Sequence, residues 1–271
     1  MTGLRLLDGR TALVTGGTAG LGRAIALELT RAGAWVAVTQ RWGSADPAEF
    51  AATFADAGVP APMVLDADAS DPTDTPAVMR ALVEARTGLD ILVSNVAFGR
   101  TATTLDDLTR SALDLSLRYS AWPVVDYLRS ARAICGRFPA HVVAVSSLGP
   151  ERWYPGYDLI AAAKSALDTL CGYLAFRLRA EGIRINVLKP GLLDTPSARQ
   201  IFGDAIMNTM QARGLTCDPV LVARACLALC SGLLDGMTGR SLVVDHGNSL
   251  LGDMALVAND RVGGSNDTEE Q

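Results

Sequence analysis

The sequence predicts an α/β fold in which one doubly wound parallel sheet carries helices on both faces. Two observations support this prediction. Short apolar runs alternate with longer stretches of helical periodicity from residue 11 to residue 245, as in repeated strand–helix–strand units. The 271 residues, 49% of them apolar, are enough for one large core, and no linker or composition shift marks a second domain. Right-handed crossovers then predict about seven strands in the order 3-2-1-4-5-6-7.

The predicted elements follow one another along the chain. Strands are expected at residues 12–14, 35–40, 62–66, 90–94, 141–146, 183–188 and 241–245. Helices are expected at 23–32, 46–57, 74–86, 105–118, 121–135, 157–181 and 218–230, with Gly33 capping the first of them. One domain is predicted over residues 1–252. It is followed by a flexible acidic tail at 253–271 that contains Gly-Gly-Ser-Asn-Asp-Thr-Glu-Glu.

A glycine-rich turn joins the first strand to the first helix. Glycines stand at positions 16, 17, 20 and 22, directly after the apolar strand and at the start of the helix. Free backbone N–H groups at a helix N-terminus bind phosphate groups well. Gly16 permits the tight turn, Gly20 lets the backbone approach the phosphates, and Gly22 lets the helix pack closely on the strand. The turn therefore predicts a site for the pyrophosphate of a dinucleotide.

Composition and charge argue against several classes of protein. The formal net charge is −5 and no basic block occurs, which disfavours a nucleic-acid partner. No signal-type segment begins the sequence and no run reaches the ~18 apolar residues of a membrane span, so we expect a cytoplasmic protein with no membrane partner. The five cysteines lack Cys-x2-Cys spacing and the histidines are His141 and His246, so neither a disulfide framework nor a metal site is predicted.

The turn has the spacing Thr-Gly-x3-Gly-x-Gly, and in this the chain resembles the short-chain dehydrogenase/reductase superfamily. The likeness covers about residues 8 to 251 and continues through Asp68-Ala-Ser-Asp71, Asp90-Ile-Leu-Val-Ser-Asn95-Val-Ala97, Ser146-Ser147, Lys164, Asn186-Val-Leu-Lys-Pro190-Gly191 and Thr238-Gly239-Arg-Ser-Leu-Val-Val-Asp245-His-Gly247. His246 stands where the family usually has glycine. The resemblance implies a Rossmann-like fold and an oxidoreductase that uses a nicotinamide cofactor on a small molecule. It also implies a homodimer or homotetramer formed through helices 121–135 and 157–181.

Cofactor choice is expected to depend on the end of the second strand. A carboxylate there would bind the ribose 2′-hydroxyl of NAD, but the chain has Thr39-Gln40-Arg41. A guanidinium favours the 2′-phosphate of NADP through charge-assisted hydrogen bonds, so NADPH is the predicted cofactor. With the resemblance added, the predicted cofactor-binding residues are Gly16, Thr18, Gly20, Leu21, Gly22, Arg41, Asp68, Ala69, Asn95, Lys164, Pro190, Gly191, Leu193 and Thr195.

The resemblance further implies a catalytic serine, tyrosine and lysine, with the tyrosine four residues before the lysine and acting as the proton donor. Counting from Lys164 places Ser147 at the serine position but Ile160 at the tyrosine position, and isoleucine has no proton to donate. Ser116 corresponds to the family's assisting asparagine. Tyr157 lies seven residues before Lys164, a spacing that resembles bacterial enoyl-acyl carrier protein reductases. The predicted catalytic residues are therefore Ser147, Lys164, Tyr157 and Ser116.

Three functions remain open on the sequence. The favoured one is NADPH-dependent reduction of a ketone on an aromatic polyketide in antibiotic biosynthesis, with the proton coming from substrate or solvent. For this activity the chain resembles angucyclinone ketoreductases of the simocyclinone type, on the basis of the absent tyrosine and an arginine-rich composition with only two lysines. An apolar lid predicted over residues 192–218 would suit a flat substrate. The alternatives are an enoyl-acyl carrier protein reductase that uses Tyr157 and Lys164, and a cofactor-binding protein without catalysis.

Overall fold

The computed structural model describes residues 5–41 and 45–251. The strands in these residues are β1 (Thr11–Val14), β2 (Trp35–Gln40), β3 (Met63–Asp66), β4 (Ile91–Ser94), β5 (His141–Val145), β6 (Arg184–Pro190) and β7 (Ser241–Val244). They form one parallel sheet in the order β3-β2-β1-β4-β5-β6-β7, which confirms the predicted topology. The predicted tail at 253–271 and the domain boundary at 252 lie outside the described residues.

The helices of the described residues cover both faces of the sheet. They are α1 (Gly20–Arg31), α2 (Pro47–Asp56), α3 (Asp74–Ala85), α4 (Arg110–Ser120), α5 (Pro123–Cys135), α6 (Asp158–Arg177), α7 (Pro196–Phe202), α8 (Asp204–Ala212) and α9 (Pro219–Cys230). Short 3-10 helices lie at Leu105–Asp107, Arg179–Glu181 and Asn248–Leu250. The segment between β6 and α9, which holds α7 and α8, is called the lid below.

The predicted helices differ from the observed ones at their ends, and two of them differ most. The helix expected at 105–118 is divided, because the Asp107 carboxylate accepts hydrogen bonds from the backbone N–H groups of Thr103 and Thr104, both at 2.9 Å. Thr109 then begins α4 by accepting a hydrogen bond from the Ala112 N–H at 3.2 Å. The helix expected at 157–181 begins only at Asp158 and gives way to a 3-10 turn after Arg177. Local side-chain capping, rather than apolar periodicity, thus sets the boundaries in the first of these two regions.

Two apolar clusters, one on each side of the sheet, form the core. One cluster joins the sheet to α1, α2 and α9, and the other joins it to α3, α5 and α6. Strands β1 and β4 are buried along their whole length, because helices cover both of their faces. Because the strands are all parallel, their carboxyl ends lie at one edge of the sheet, where open α/β sheets bind ligands.

Helix α6 is the longest of the described helices and lies at the centre of the site. By length and composition it could cross a membrane. In the fold, however, it packs against β6 and α4, and its buried residues include the charged Lys164. Its position against the sheet accounts for the buried part of its apolar surface, while Tyr173 and Phe176 are 69% and 65% exposed.

Candidate active site

The glycine turn has the geometry that its sequence predicts. Gly16 and Gly20 adopt positive φ angles of +63° and +52°, which side chains disfavour. A Cβ atom at Gly22 would lie only 2.2 Å from the carbonyl oxygen of Gly16, so α1 can approach the turn only because this residue is glycine. Asn95, at the end of β4, holds the turn by donating hydrogen bonds to the carbonyl oxygens of Thr15 and Gly16 at 3.0 and 3.2 Å.

Two predicted cofactor residues that follow β6, Gly191 and Thr195, pack closely on neighbouring segments. A Cβ atom at Gly20 would lie 3.4 Å from Cγ2 of Thr195, which places the first lid residues over the turn. Thr195 is held there by capping α7. Gly191 packs so closely on Asp245, after β7, that a Cβ atom would lie 2.8 Å from the Cβ of that residue. The other predicted cofactor residues of these segments, Thr18, Leu21, Pro190 and Leu193, are buried.

The structure also joins the predicted residues at the end of β2 to those after β3. The Arg41 guanidinium forms a 2.6 Å ion pair with Oδ2 of Asp68, and 43% of the Arg41 side chain remains exposed. Tyr119 of α4 donates a hydrogen bond to the same oxygen at 3.1 Å. Ala69 is buried beside Asp68. The prediction overlooked Tyr119, although an aromatic residue on the inner face of an amphipathic helix is a recognisable signal.

Lys164 is buried beneath the strand ends. Its side chain is on α6, and its ammonium donates a 2.6 Å hydrogen bond to the carbonyl oxygen of Val145, the last residue of β5. Only 2% of the residue is exposed. Burial lowers the pKa of the Lys164 ammonium to about 8, while the Asp168 carboxylate one turn further along α6 acts in the opposite direction.

Ser147 and Tyr157 converge on the same place. Tyr157 is the N-cap residue of α6 and Ser147 follows β5, with Gly149 between them. A Cβ atom at Gly149 would lie 2.5 Å from Cε1 of Tyr157 and 3.2 Å from Oγ of Ser147. Burial raises the pKa of the Tyr157 phenol above its ordinary value, and a hydrogen bond with Ser147 opposes that rise. The two hydroxyl groups thus lie close to each other.

Ile160 fills the position one turn before Lys164. It is buried, with 3% of its surface exposed. A Cβ atom at Gly99 would lie 2.7 Å from Cγ1 of Ile160 and 2.5 Å from Oγ of Ser116, so the three residues are in tight contact. The Ser116 hydroxyl is fully buried and donates to the Ala112 carbonyl at 3.0 Å. This part of the site therefore presents an alkyl group and an already bonded hydroxyl. Gly99 was not predicted as a site residue.

An aromatic wall closes the site toward the lid. It consists of Tyr154, Tyr157 and Phe202 of α7, whose ring centroids lie 5.9 to 6.0 Å apart in all three pairs.

Arg199 of α7 forms ion pairs with two carboxylates of the lid. It binds both carboxylate oxygens of Asp194 at 2.7 Å and Oδ1 of Asp204 at 2.9 Å. Among the described residues, no group of three or more His, Cys, Asp and Glu side chains could hold a metal ion.

Comparison with known proteins adds to this geometry. The family described as enoyl-(acyl carrier protein) reductase matches residues 16–249. The uncharacterized oxidoreductase YgfF of Escherichia coli is 34% identical over 192 residues, which cover 68% of this chain and 76% of that protein. The 1-cyclohexenylcarbonyl-CoA reductase of Streptomyces collinus is 28% identical over 248 residues, which cover 89% of this chain and 88% of that protein. A short-chain dehydrogenase of Burkholderia cenocepacia in complex with NADP matches with a TM-score of 0.78 and 29% identity, over 90% of this chain and 99% of that one.

Proposed function

Because the chain belongs to the short-chain dehydrogenase/reductase superfamily of oxidoreductases, we propose that it uses NADPH to reduce a ketone on an aromatic polyketide in antibiotic biosynthesis. The observation that carries this proposal is the buried Ile160 one turn before Lys164. A reductase without a phenol at that position needs another source for the proton. A ketone with a neighbouring phenol brings that source with it.

The residues around the glycine turn suit a dinucleotide. Gly16 and Gly20 have positive φ angles and Gly22 lets α1 pack closely on the turn, and in our proposal the backbone N–H groups at the start of α1 bind the phosphates. Arg41 would hold the 2′-phosphate, and Lys164 would hold the nicotinamide ribose hydroxyls. When bound, NADPH supplies the hydride that adds to the carbonyl carbon of the substrate.

The resulting alkoxide then has to be stabilised by the protein and protonated. In our proposal Ser147 donates a hydrogen bond to the substrate oxygen and orients it. The proton comes from the phenol beside the ketone, or from solvent, and the phenolate that remains is later protonated by water. The acidity of such a phenol is close to that of a tyrosine side chain, so it can replace the missing acid.

The lid supports a free aromatic substrate over one attached to an acyl carrier. Tyr154, Tyr157 and Phe202 offer flat apolar surface against which an aromatic ring system can stack. An acidic carrier protein would instead need exposed basic groups near the entrance. In the lid, one guanidinium, that of Arg199, pairs with two carboxylates, those of Asp194 and Asp204, so this cluster has a net charge of −1 and offers no basic surface.

Enoyl thioester reduction is the second candidate, and the position of Tyr157 favours it. The phenol lies close to Ser147 and belongs to the residue seven positions before Lys164, so it could bind a thioester carbonyl. The family match to enoyl-(acyl carrier protein) reductase points the same way. In that activity Tyr157 would be the indispensable acid.

Two variants and three substrates distinguish these functions. The substrates are a bicyclic aryl ketone with a phenol beside the carbonyl, its methyl ether, and crotonyl-CoA, each with NADPH. We expect Tyr157→Phe to reduce the phenolic ketone within about threefold of the wild-type rate, and the methyl ether to react at least about 100-fold more slowly, the scale of lost general acid catalysis. Tyr154→Phe, in the same aromatic wall, is the matched control. If Tyr157→Phe is inactive while Tyr154→Phe is active on crotonyl-CoA, the enoyl reductase function replaces ours.

We further propose that the protein works in the cytoplasm as a homodimer or homotetramer. An apolar groove of about 570 Å³ runs along the outer side of α4 and α6 beside the N-terminus of α5, and includes Leu117, Trp122, Ala166 and Leu170. Trp122 at its edge is 47% exposed. Burying this groove against a second copy would remove apolar surface from water. Light scattering should show an oligomer for the wild type and a smaller species for Trp122→Asp.

A further inference from the structure

Lys189 is a buried charge that the proposed reaction does not use. It lies near the end of β6, and only 6% of its side chain is exposed. Its ammonium bonds Oδ2 of Asp168 at 2.7 Å and Oε1 of Glu151 at 2.5 Å. Lys164 and Lys189 are the only lysines of the chain, and both lie close to Asp168.

The two partners of Lys189 lie on two segments that carry candidate catalytic residues. Asp168 is on α6, one turn after Lys164. Glu151 is in the loop between Ser147 and Tyr157, in a turn whose Glu151 and Arg152 N–H groups both donate to the Leu148 carbonyl at 2.9 and 2.8 Å. Lys189 thus connects the helix of the lysine to the loop of the two hydroxyl groups.

The bond to Glu151 is not needed to neutralise Lys189. Asp168 already offers a full negative charge, and it is the less exposed carboxylate, with 18% of its side chain exposed against 53% for Glu151. A half-exposed carboxylate keeps most of its hydration without a partner. What the second bond does is fix an otherwise solvent-facing loop to the strand beneath it.

We propose that Lys189 is a positioning residue, which holds the loop from Ser147 to Tyr157 at a set distance from Lys164. This inference rests on the proposed function, since it assigns a task within the same site. Precise placement of reacting groups is a large part of catalysis, and a shift of about 1 Å can cost about 100-fold in rate. In this proposal the ion pair between Lys189 and Glu151 acts by positioning the loop and contributes little to overall stability.

Glu151→Ala is the decisive variant, because it removes a half-exposed side chain and leaves the buried pair of Lys189 and Asp168 intact. We expect kcat/KM for the phenolic ketone to fall by about 10- to 100-fold, with the KM for NADPH and the unfolding temperature unchanged. Glu151→Gln keeps an acceptor for Lys189 and should restore most of the activity. Arg152→Ala, the neighbouring exposed residue, is the matched control and should behave as the wild type.

Lys189→Met completes a double-mutant cycle with Glu151→Ala. If the two residues act through one bond, the double variant should be no less active than Lys189→Met alone. Equal activity of Glu151→Ala and wild type, or no rescue by Glu151→Gln, would overturn the inference.

Amide hydrogen exchange tests the tether without any substrate. The Glu151 and Arg152 amides should exchange at least about tenfold faster in Glu151→Ala than in the wild type, while amides of β7 stay unchanged. If the wild type reduces none of the ketones, the proposed function fails, and the exchange experiment still decides whether the tether exists. Unchanged exchange in the loop would refute it.

Discussion

Replacing Gly22 by alanine tests the close packing of α1 on the glycine turn. The new methyl group would stand 2.2 Å from the Gly16 carbonyl oxygen and 2.7 Å from Nδ2 of Asn95. Real Cβ contacts essentially never fall below 3.0 Å, so the helix or the turn must move by about 0.8 Å. The Gly16 carbonyl oxygen is a backbone atom, so no side-chain rotation can relieve its overlap with the new methyl group. Overpacking of this kind costs about 1–3 kcal/mol, which corresponds to a fall of roughly 2–12 °C in the unfolding temperature of a domain this size.

The same shift should damage cofactor binding, because the displaced backbone is the proposed phosphate cradle. Thermal unfolding and NADPH titration by fluorescence would measure the two effects on one sample. Gly172→Ala is the matched control, since Gly172 is in α6 and a Cβ atom there would meet no atom within 4 Å beyond its chain neighbours and the backbone of its own helix. That change should stabilise the protein by about 0.5–1 kcal/mol and leave NADPH affinity unchanged. If Gly22→Ala matched the wild type in both measurements, the steric reasoning about the turn would be refuted.

Three further predictions concern the cofactor site. Arg41→Ala should weaken NADPH binding by about 1.5–3 kcal/mol in calorimetry and leave NADH nearly unaffected, and equal losses would contradict a contact with the 2′-phosphate. Lys164→Ala should depress turnover by orders of magnitude with the circular dichroism spectrum preserved, whereas full activity would exclude a role in placing the nicotinamide. Burial holds the folded-state pKa of Lys164 below its unfolded value, so above about pH 8 the unfolded chain binds more protons at this residue, and its contribution to the free energy of unfolding should rise from pH 7 to 9. The thiols of Cys135, Cys171, Cys217 and Cys230 act oppositely, because their pKa is raised in the folded protein, so urea titrations should show the Lys164 contribution as the difference between the wild type and Lys164→Met. The same pH dependence in both proteins would contradict it.

The elements that the sequence predicts best are those with strong local signals. Strand β2 has the predicted bounds, because an apolar run between Gly33 and a polar turn leaves little choice. The division of the helix predicted at 105–118 was missed, since one carboxylate, that of Asp107, stops it by local hydrogen bonds. The lid helices α7 and α8 were also missed. They are short and meet at Gly203, so each carries too few turns for a clear period.

His246 departs from the family pattern at a position with a positive φ angle. The sequence places histidine where the resembled family has glycine. In the structure it is the one non-glycine residue with positive φ among the described residues, at 58°. The backbone there keeps the conformation that suits glycine, although the side chain has changed. We therefore expect His246→Gly to raise the unfolding temperature slightly.

The sequence by itself determined the strand order, the glycine turn and the absence of a phenol four residues before Lys164. These depend on neighbours within a few residues, or on the handedness of crossovers, and both can be evaluated along the chain. Only the tertiary structure decided that Ile160 packs on Gly99 and Ser116, that Arg41 pairs with Asp68, and that Lys189 bonds the Ser147 loop. Such contacts join segments far apart in sequence, which meet because parallel strands bring all their carboxyl ends to one edge of the sheet.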